Sequence, residues 1–197
     1  MTKSIQRNAS FDTILEATEQ LIKEKGCRQT TLQDIIEKSG LSKGAIYHYV
    51  SGKDELYGLI LKSKMEFMNT GFDGAVASAP EKDAVLPIQF IAKGMAQQTE
   101  GQDVTSKIFT YLLSQIDNPK IEAILGELYG FSLATARSWI EKGQTAGAIP
   151  AEINAEKMAS LFMVFTYGLR VQNLISKNTE QRIQIEDIFT LLFRSLQ

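Results

Sequence analysis

Three glycines, Gly26, Gly40 and Gly52, cut the N-terminal part of the chain into one long helical segment and two short ones before another long segment begins at Lys53. Each piece keeps an apolar stripe at helical spacing, and such short stripes are buried only by packing the pieces on one another. The first stripe, Phe11, Ile14, Leu15, Thr18, Leu21 and Ile22, predicts a helix from Ser10 to Lys25, with Ser10 as N-cap and Gly26 as its stop. Thr30-Thr31 opens the second. Thr30 with Gln33 fits a capping box, and Leu32, Ile35 and Ile36 form the inner face. Gly40 ends that helix, because glycine enters a left-handed turn without steric cost. Ser42 then caps a third helix from Lys43 to about Val50, and Ser51-Gly52 breaks it. The fourth is predicted to carry Leu56, Leu59, Ile60, Ser63 and Phe67 inward and to loosen after Gly71.

The rest also reads as helix. Strand-like alternation and hairpin turns are missing from the sequence, and helices are expected near 84–99, 103–116, 119–145, 154–176 and 183–196. At 44% hydrophobic residues, the 197-residue chain can build a substantial core. The run MTKSIQRNASFD lacks a signal-peptide core, and the longest apolar stretch, Met158 to Leu169, is too short to span a bilayer. A soluble, cytoplasmic protein without membrane contact is the expectation. One cysteine excludes a disulfide framework, and one histidine excludes a multi-histidine metal centre.

Two short helices joined by a glycine turn behind a longer one have the shape of a helix-turn-helix unit. The third helix tests that reading. Ile46, Tyr49 and Val50 fall on one side, and Lys43, Gly44, Tyr47 and His48 on the other. An ammonium, a bare backbone, a phenol and an imidazole suit a DNA major groove. Lys53 stands in the first turn of the fourth helix. The macrodipole disfavours a cation there, and a phosphate would meet both the lysine and free N–H groups. The net charge of −2 divides into +2 over residues 1–53 and −4 over the remainder, a weak sign of a polyanion site at one end.

These residues resemble a family. Ile14-Leu15-Glu16-Ala17, Glu24-Lys25-Gly26, Thr30-Thr31-Leu32-Gln33-Asp34-Ile35, Ser39-Gly40-Leu41-Ser42-Lys43-Gly44-Ala45-Ile46-Tyr47-His48-Tyr49 and Lys53-Asp54-Glu55-Leu56 are similar to the DNA-binding domain of TetR-family regulators. Thr18, Ile36 and Ser39 stand where that family usually has alanine, Tyr49 where histidine is common, and Val50 where phenylalanine is. The resemblance implies an all-α protein with a three-helix DNA-binding domain over 8–68 (its helix-turn-helix about 31–50). A larger helical domain over 72–197 would bind a small molecule and dimerise through its last two helices. It further implies that Thr31 touches the DNA backbone, that Ser42, Lys43, Gly44, Ala45, Tyr47 and His48 face the groove, and that Lys53 holds a phosphate. Ala45 would meet a thymine methyl. The implied function is a repressor that binds a palindromic operator and is released by an effector.

Beyond residue 72 no motif stands out. Met158 to Leu169 is apolar around its whole circumference, and the last helix carries Ile185, Ile188, Phe189, Leu192 and Leu196. Both need cover on two sides, which either a two-fold four-helix interface or a central place in a monomeric bundle supplies. Phe90, Met95, Phe109 and Tyr111 are candidate effector-lining residues, with Leu112, Phe131, Trp139, Met163 and Tyr167. Their apolar character points to a hydrophobic or aromatic effector. Gln115, Arg137 and Arg170 read as exposed or snorkelling side chains. Without a Gly-rich phosphate loop or a nucleophile–base pair, neither enzyme, cofactor nor metal site is expected. Cys27, near Lys25 and Arg28, is either an inert thiol or a redox sensor. The competing class is a helical small-molecule-binding adaptor without DNA binding, which leaves the outward Lys43/Tyr47/His48 face unexplained.

Overall fold

The computed structural model describes residues 8–79, 87, 90, 91, 93, 94, 103–176 and 182–194. Among them there is helix and no strand. The elements are α1 (Ala9–Gln29), α2 (Leu32–Ser39), α3 (Lys43–Tyr49), α4 (Lys53–Ser78), α5 (Val104–Leu113), α6 (Pro119–Thr145), α7 (Ala155–Ile175) and α8 (Ile185–Arg194). No described helix is long and apolar enough to cross a membrane. Of the helix expected at 84–99, Pro87, Phe90, Ile91, Lys93 and Gly94 are described, and all are helical. Met95 and Leu196 lie outside the described residues, as do the side chains of Phe189 and Leu192.

Local chemistry sets the helix ends, in places one or two residues from where the sequence put them. Asn8, not Ser10, caps α1: its Oδ1 accepts from Phe11 N at 3.0 Å. Gly26 breaks the helix as expected, at φ 80°, but a further turn runs on to Gln29. The capping box belongs to Thr31 and Asp34, not to Thr30 and Gln33. Thr30 is buried instead, and its hydroxyl donates to Gly26 O at 2.9 Å. Asp34 accepts from Thr31 N at 2.7 Å and pairs with Lys25 at 2.7 Å, tying α2 to α1. Those contacts, the Lys25 ammonium foremost, hold the Asp34 carboxyl down at about 2. A depressed carboxyl contributes stability above its unfolded pKa, and that contribution fades as pH falls toward about 2. Gly40 adopts φ 68° in the turn before Ser42, whose Oγ accepts from Ala45 N at 3.2 Å.

The α1 stripe packs as expected, and Ile14, Ile22, Ile35 and Ile46 are wholly enclosed. α4 departs from expectation twice. It does not loosen at Gly71 but runs to Ser78, and Phe67 points outward, 70% exposed. Its inward residues are Leu56, Tyr57, Ile60, Leu61, Met68 and Phe72. The face turns because the helix serves two cores in succession. The lower core joins α1–α4 to Val104, Ile108 and Leu112 of α5 and Ile121 of α6. The upper one gathers Met68 and Phe72 with Trp139, Ala159, Phe162, Leu169 and Ile188. One unbroken helix therefore passes through the 68–72 division expected from sequence.

Candidate nucleic-acid interface and effector cavity

The third helix is short, so its placement depends on anchors. Ile46 and Val50 are buried beneath it, and Tyr49 is half-buried, its ring 5.3 Å from that of Phe11. The Tyr49 hydroxyl donates to Asn8 Oδ1 at 2.9 Å, so the α1 cap also fixes α3. With that side held, Ser42, Lys43, Gly44, Tyr47 and His48 are exposed on the other, and Ala45 is half-buried at its edge. Tyr47 is 48% exposed, and Lys43 Nζ lies 5.6 Å from its ring centroid. The cation and the phenol thus stand together. At Gly44 a methyl group would meet only Ser42 Oγ, at 4.0 Å. Nothing inside the protein needs glycine there.

Lys53 requires a correction. The sequence set it out as a phosphate ligand, but its Nζ donates to Cys27 O at 3.1 Å, Arg28 O at 3.1 Å and Thr30 O at 2.9 Å. These uses exhaust the three N–H bonds of an ammonium. The charge caps the C-terminal carbonyls of α1, where the macrodipole favours a cation, and so clamps the end of α1 to the start of α4. Thr31 is similarly occupied, its hydroxyl donating to Asp34 Oδ2 at 2.7 Å. Replacing Lys53 by methionine is expected to cost about 1.5–3 kcal/mol of stability, the range for hydrogen bonds to charged groups. Urea melts would measure that loss. The same variant is expected to keep the wild-type salt slope of DNA binding, whereas removing a true phosphate contact lowers that slope by about one.

The clamp has a roof. Tyr57 is fully buried and its hydroxyl donates to Cys27 O at 3.0 Å. The Tyr111 ring of α5 meets Tyr57 edge-on at 5.5 Å and lies under Lys53 Nζ at 5.4 Å, and its hydroxyl donates to Asp54 Oδ1 at 3.1 Å. Cys27 is buried beside these groups, and desolvation pushes its thiol up to about 11. The neutral, enclosed thiol resolves the choice left open by sequence in favour of inertness. Iodoacetamide at pH 8 is expected to leave Cys27 unmodified in the native protein and to label it in denaturant, as intact mass would record.

Higher up, α4, α5, α6 and α7 enclose a cavity of about 80 Å³. Four of the expected lining residues, Phe109, Trp139, Met163 and Tyr167, are on its wall. Met95 lies outside the described residues, and the other four are elsewhere. Phe90 packs on Gly71 in the upper core, Leu112 is in the lower core, Tyr111 roofs the clamp, and Phe131 lies under Lys62 Nζ at 5.3 Å. Sequence reasoning missed Met65 and Met68 of α4, and above all Arg170. Arg170 follows Tyr167 by one helical turn and Met163 by two, a spacing that puts it on the same inward face. The side chain is half-buried, and its Nε is sealed from solvent. Among the described residues no group of His, Cys, Asp and Glu is arranged to hold a metal ion.

A family model for bacterial regulatory proteins of the tetR family matches residues 14–60. The chain is 27% identical over 168 residues to the HTH-type transcriptional regulator TtgR of Pseudomonas putida, covering 79% of this chain and 76% of that one. It is 25% identical over 174 residues to the uncharacterized HTH-type transcriptional regulator YfiR of Bacillus subtilis, covering 85% and 81%. In fold it is similar to a solved TetR-family transcriptional regulator from Syntrophomonas wolfei, with a TM-score of 0.70 at 16% identity over 96% and 94% of the two chains. These relatives are regulators rather than enzymes. The first helices of this chain match that family model, and its likeness to helix-turn-helix transcriptional regulators extends over most of its length.

Proposed function

We propose that this protein is a ligand-responsive repressor. It binds a palindromic operator as a homodimer, reads the major groove with Ser42, Lys43, Gly44, Ala45, Tyr47 and His48, and lets go when a small, largely apolar molecule enters the cavity of its C-terminal domain. Residues 8–68 are the DNA-binding unit and 72–197 the effector-binding and dimerisation unit. The observation that carries the reading is the α3 arc: an exposed cation, phenol, imidazole and bare glycine on a helix whose opposite side is locked into the core. A small-molecule adaptor has no use for that arc.

Dimerisation through α7 and α8 is supported by a second pattern. Leu161, Val164, Gly168, Val171 and Ile175 recur at alternating steps of three and four along α7, and all are exposed, Val164 by 66%. An apolar stripe of that period is a helix-pairing seam. A two-fold axis would lay it on its own copy and set two recognition helices on successive turns of one DNA face.

Two elements carry the effector signal. α4 lines the cavity through Leu61, Lys64, Met65 and Met68, and its first residue grips the end of α1. α5 lines the cavity through Thr105 and Phe109 and touches Asp54 through Tyr111. A ligand that favours a tilted α4 shifts the population toward a dimer whose recognition helices miss their spacing. The test is a fluorescence-anisotropy titration of the full chain on duplexes tiled across the DNA upstream of its own gene. Saturable binding to one duplex that resists competitor DNA supports the reading. Equal retention of every duplex, or of none, rejects it.

A further inference from the structure

We propose that the cavity between α4, α5, α6 and α7 takes a compact organic acid, an aromatic or similarly apolar monocarboxylate whose carboxylate seats on Arg170. This deepens the ligand-responsive reading and rests on it.

The polar groups of the wall divide into the occupied and the unoccupied. Lys64 is paired with Glu19 at 2.8 Å, Ser132 and Thr166 donate to carbonyls of their own helices, and Trp139 Nε1 donates to Asn69 Oδ1 at 2.7 Å. Thr105 is engaged with Asp103. Two groups have no hydrogen bond or ion pair among the described residues: the Tyr167 hydroxyl and the Arg170 guanidinium, whose Nε is fully enclosed. They stand one turn apart on α7. Phe109 covers the guanidinium at 5.2 Å and stacks on Tyr167 at 5.1 Å.

A guanidinium does not lose its proton in a protein, so this site holds a positive charge with no anion at ion-pair distance among the described residues. Burial pushes its pKa down, and Tyr167 and Asp103 offset that only in part. A half-buried, unpaired charge is costly, and a bidentate carboxylate is the partner that relieves it best. The Arg170 fork supplies two parallel N–H donors, and the Tyr167 hydroxyl a third. Phe109, Trp139 and Met163 supply a surface for an apolar body. At about 80 Å³ the space is below the ~150 Å³ that accepts a benzene ring. A ring must therefore displace Met65, Met68 or Met163, which are flexible enough to move, and Met65 and Met68 belong to α4.

Trp139, the only tryptophan, lies on the wall and reports occupancy by its fluorescence. The full chain is titrated with benzoate and 3-phenylpropionate, and in parallel with their uncharged primary amides. The acids are expected to bind at least about tenfold more tightly than the amides. Arg170→Met is expected to remove that advantage and, without ligand, to raise the melting temperature by about 3 °C or more. Arg170→Lys keeps the charge without the fork, so it is expected to retain a weakened preference for the acids and serves if the methionine variant does not fold. Amides binding as well as acids, an acid preference that survives Arg170→Met, or no response to either acid at about 10 mM overturns the proposal. Operator anisotropy with the bound acid separates the two readings. Binding of the acid without operator release keeps the Arg170 site and removes the ligand-responsive function. Failure of the acid to bind removes the Arg170 site and leaves DNA binding untouched.

Discussion

Lys43→Ala combined with Tyr47→Ala is expected to lower operator affinity at least a hundredfold while leaving the melting temperature unchanged. Both residues belong to the exposed arc, and their contact is with each other rather than with the core. Alanine favours helix, so the truncation does not weaken α3. Each good groove contact is worth roughly 1–3 kcal/mol, and two of them reach about the 2.8 kcal/mol that a hundredfold requires. Because the two side chains touch, their losses are not additive, and a full double-mutant cycle is needed to divide them. Loss of Lys43 should also lower the salt slope by about one, in contrast to Lys53→Met, which removes a charge that faces α1. Anisotropy at several salt concentrations reads both numbers. Wild-type affinity in the double variant would remove α3 from the interface.

The second large effect concerns assembly. Val164→Glu with Val171→Glu is expected to convert the dimer to monomer at micromolar concentration and to reduce operator affinity by a hundredfold or more. Val164 and Val171 are 66% and 45% exposed, so the charges sit in water in the isolated subunit and disturb no core. Across a two-fold axis the same substitutions oppose carboxylates on a seam that must dry out. A monomer keeps one recognition helix and half of the contacts. Sedimentation velocity gives the assembly state and anisotropy the affinity. A variant that sediments as a dimer and binds normally would show that the α7 stripe is not the seam.

What the sequence made legible follows from the range of the interactions involved. The α1 stripe, the Gly40 turn, the Ser42 cap and the two faces of α3 depend on residues within one or two turns, and period and turn chemistry show them directly. Where neighbours compete on similar terms, the observed ends fall a residue or two from the expected ones. Asn8 and Ser10 are comparable caps, and Thr31 won the box because Asp34 had Lys25 to neutralise it. Features that join distant segments were not legible. Lys53 meets carbonyls more than twenty residues away in sequence, and only the fold brings the end of α1 beneath it. The inward face of α4 rotates between two cores, which a single stripe cannot express. Arg170 was misjudged because charge alone suggests a surface, while its spacing from Met163 and Tyr167 already marked it as inward. Several of the expected effector residues proved to be core or roof for a related reason: aromatic residues fill bundles and line cavities alike.

The measurement that bears most directly on the account maps α3 on the duplex. Cys27 is enclosed, so a cysteine at position 47 offers a single reactive thiol for an iron–EDTA tether that cuts nearby DNA. With saturating protein in dilute buffer, the Tyr47→Cys conjugate is predicted to cut within the major groove at two places about one helical turn apart. The same tether at Ala123, exposed on α6, is predicted to cut neither. Cleavage from position 123, or none from position 47 on a duplex the protein demonstrably protects, would contradict it.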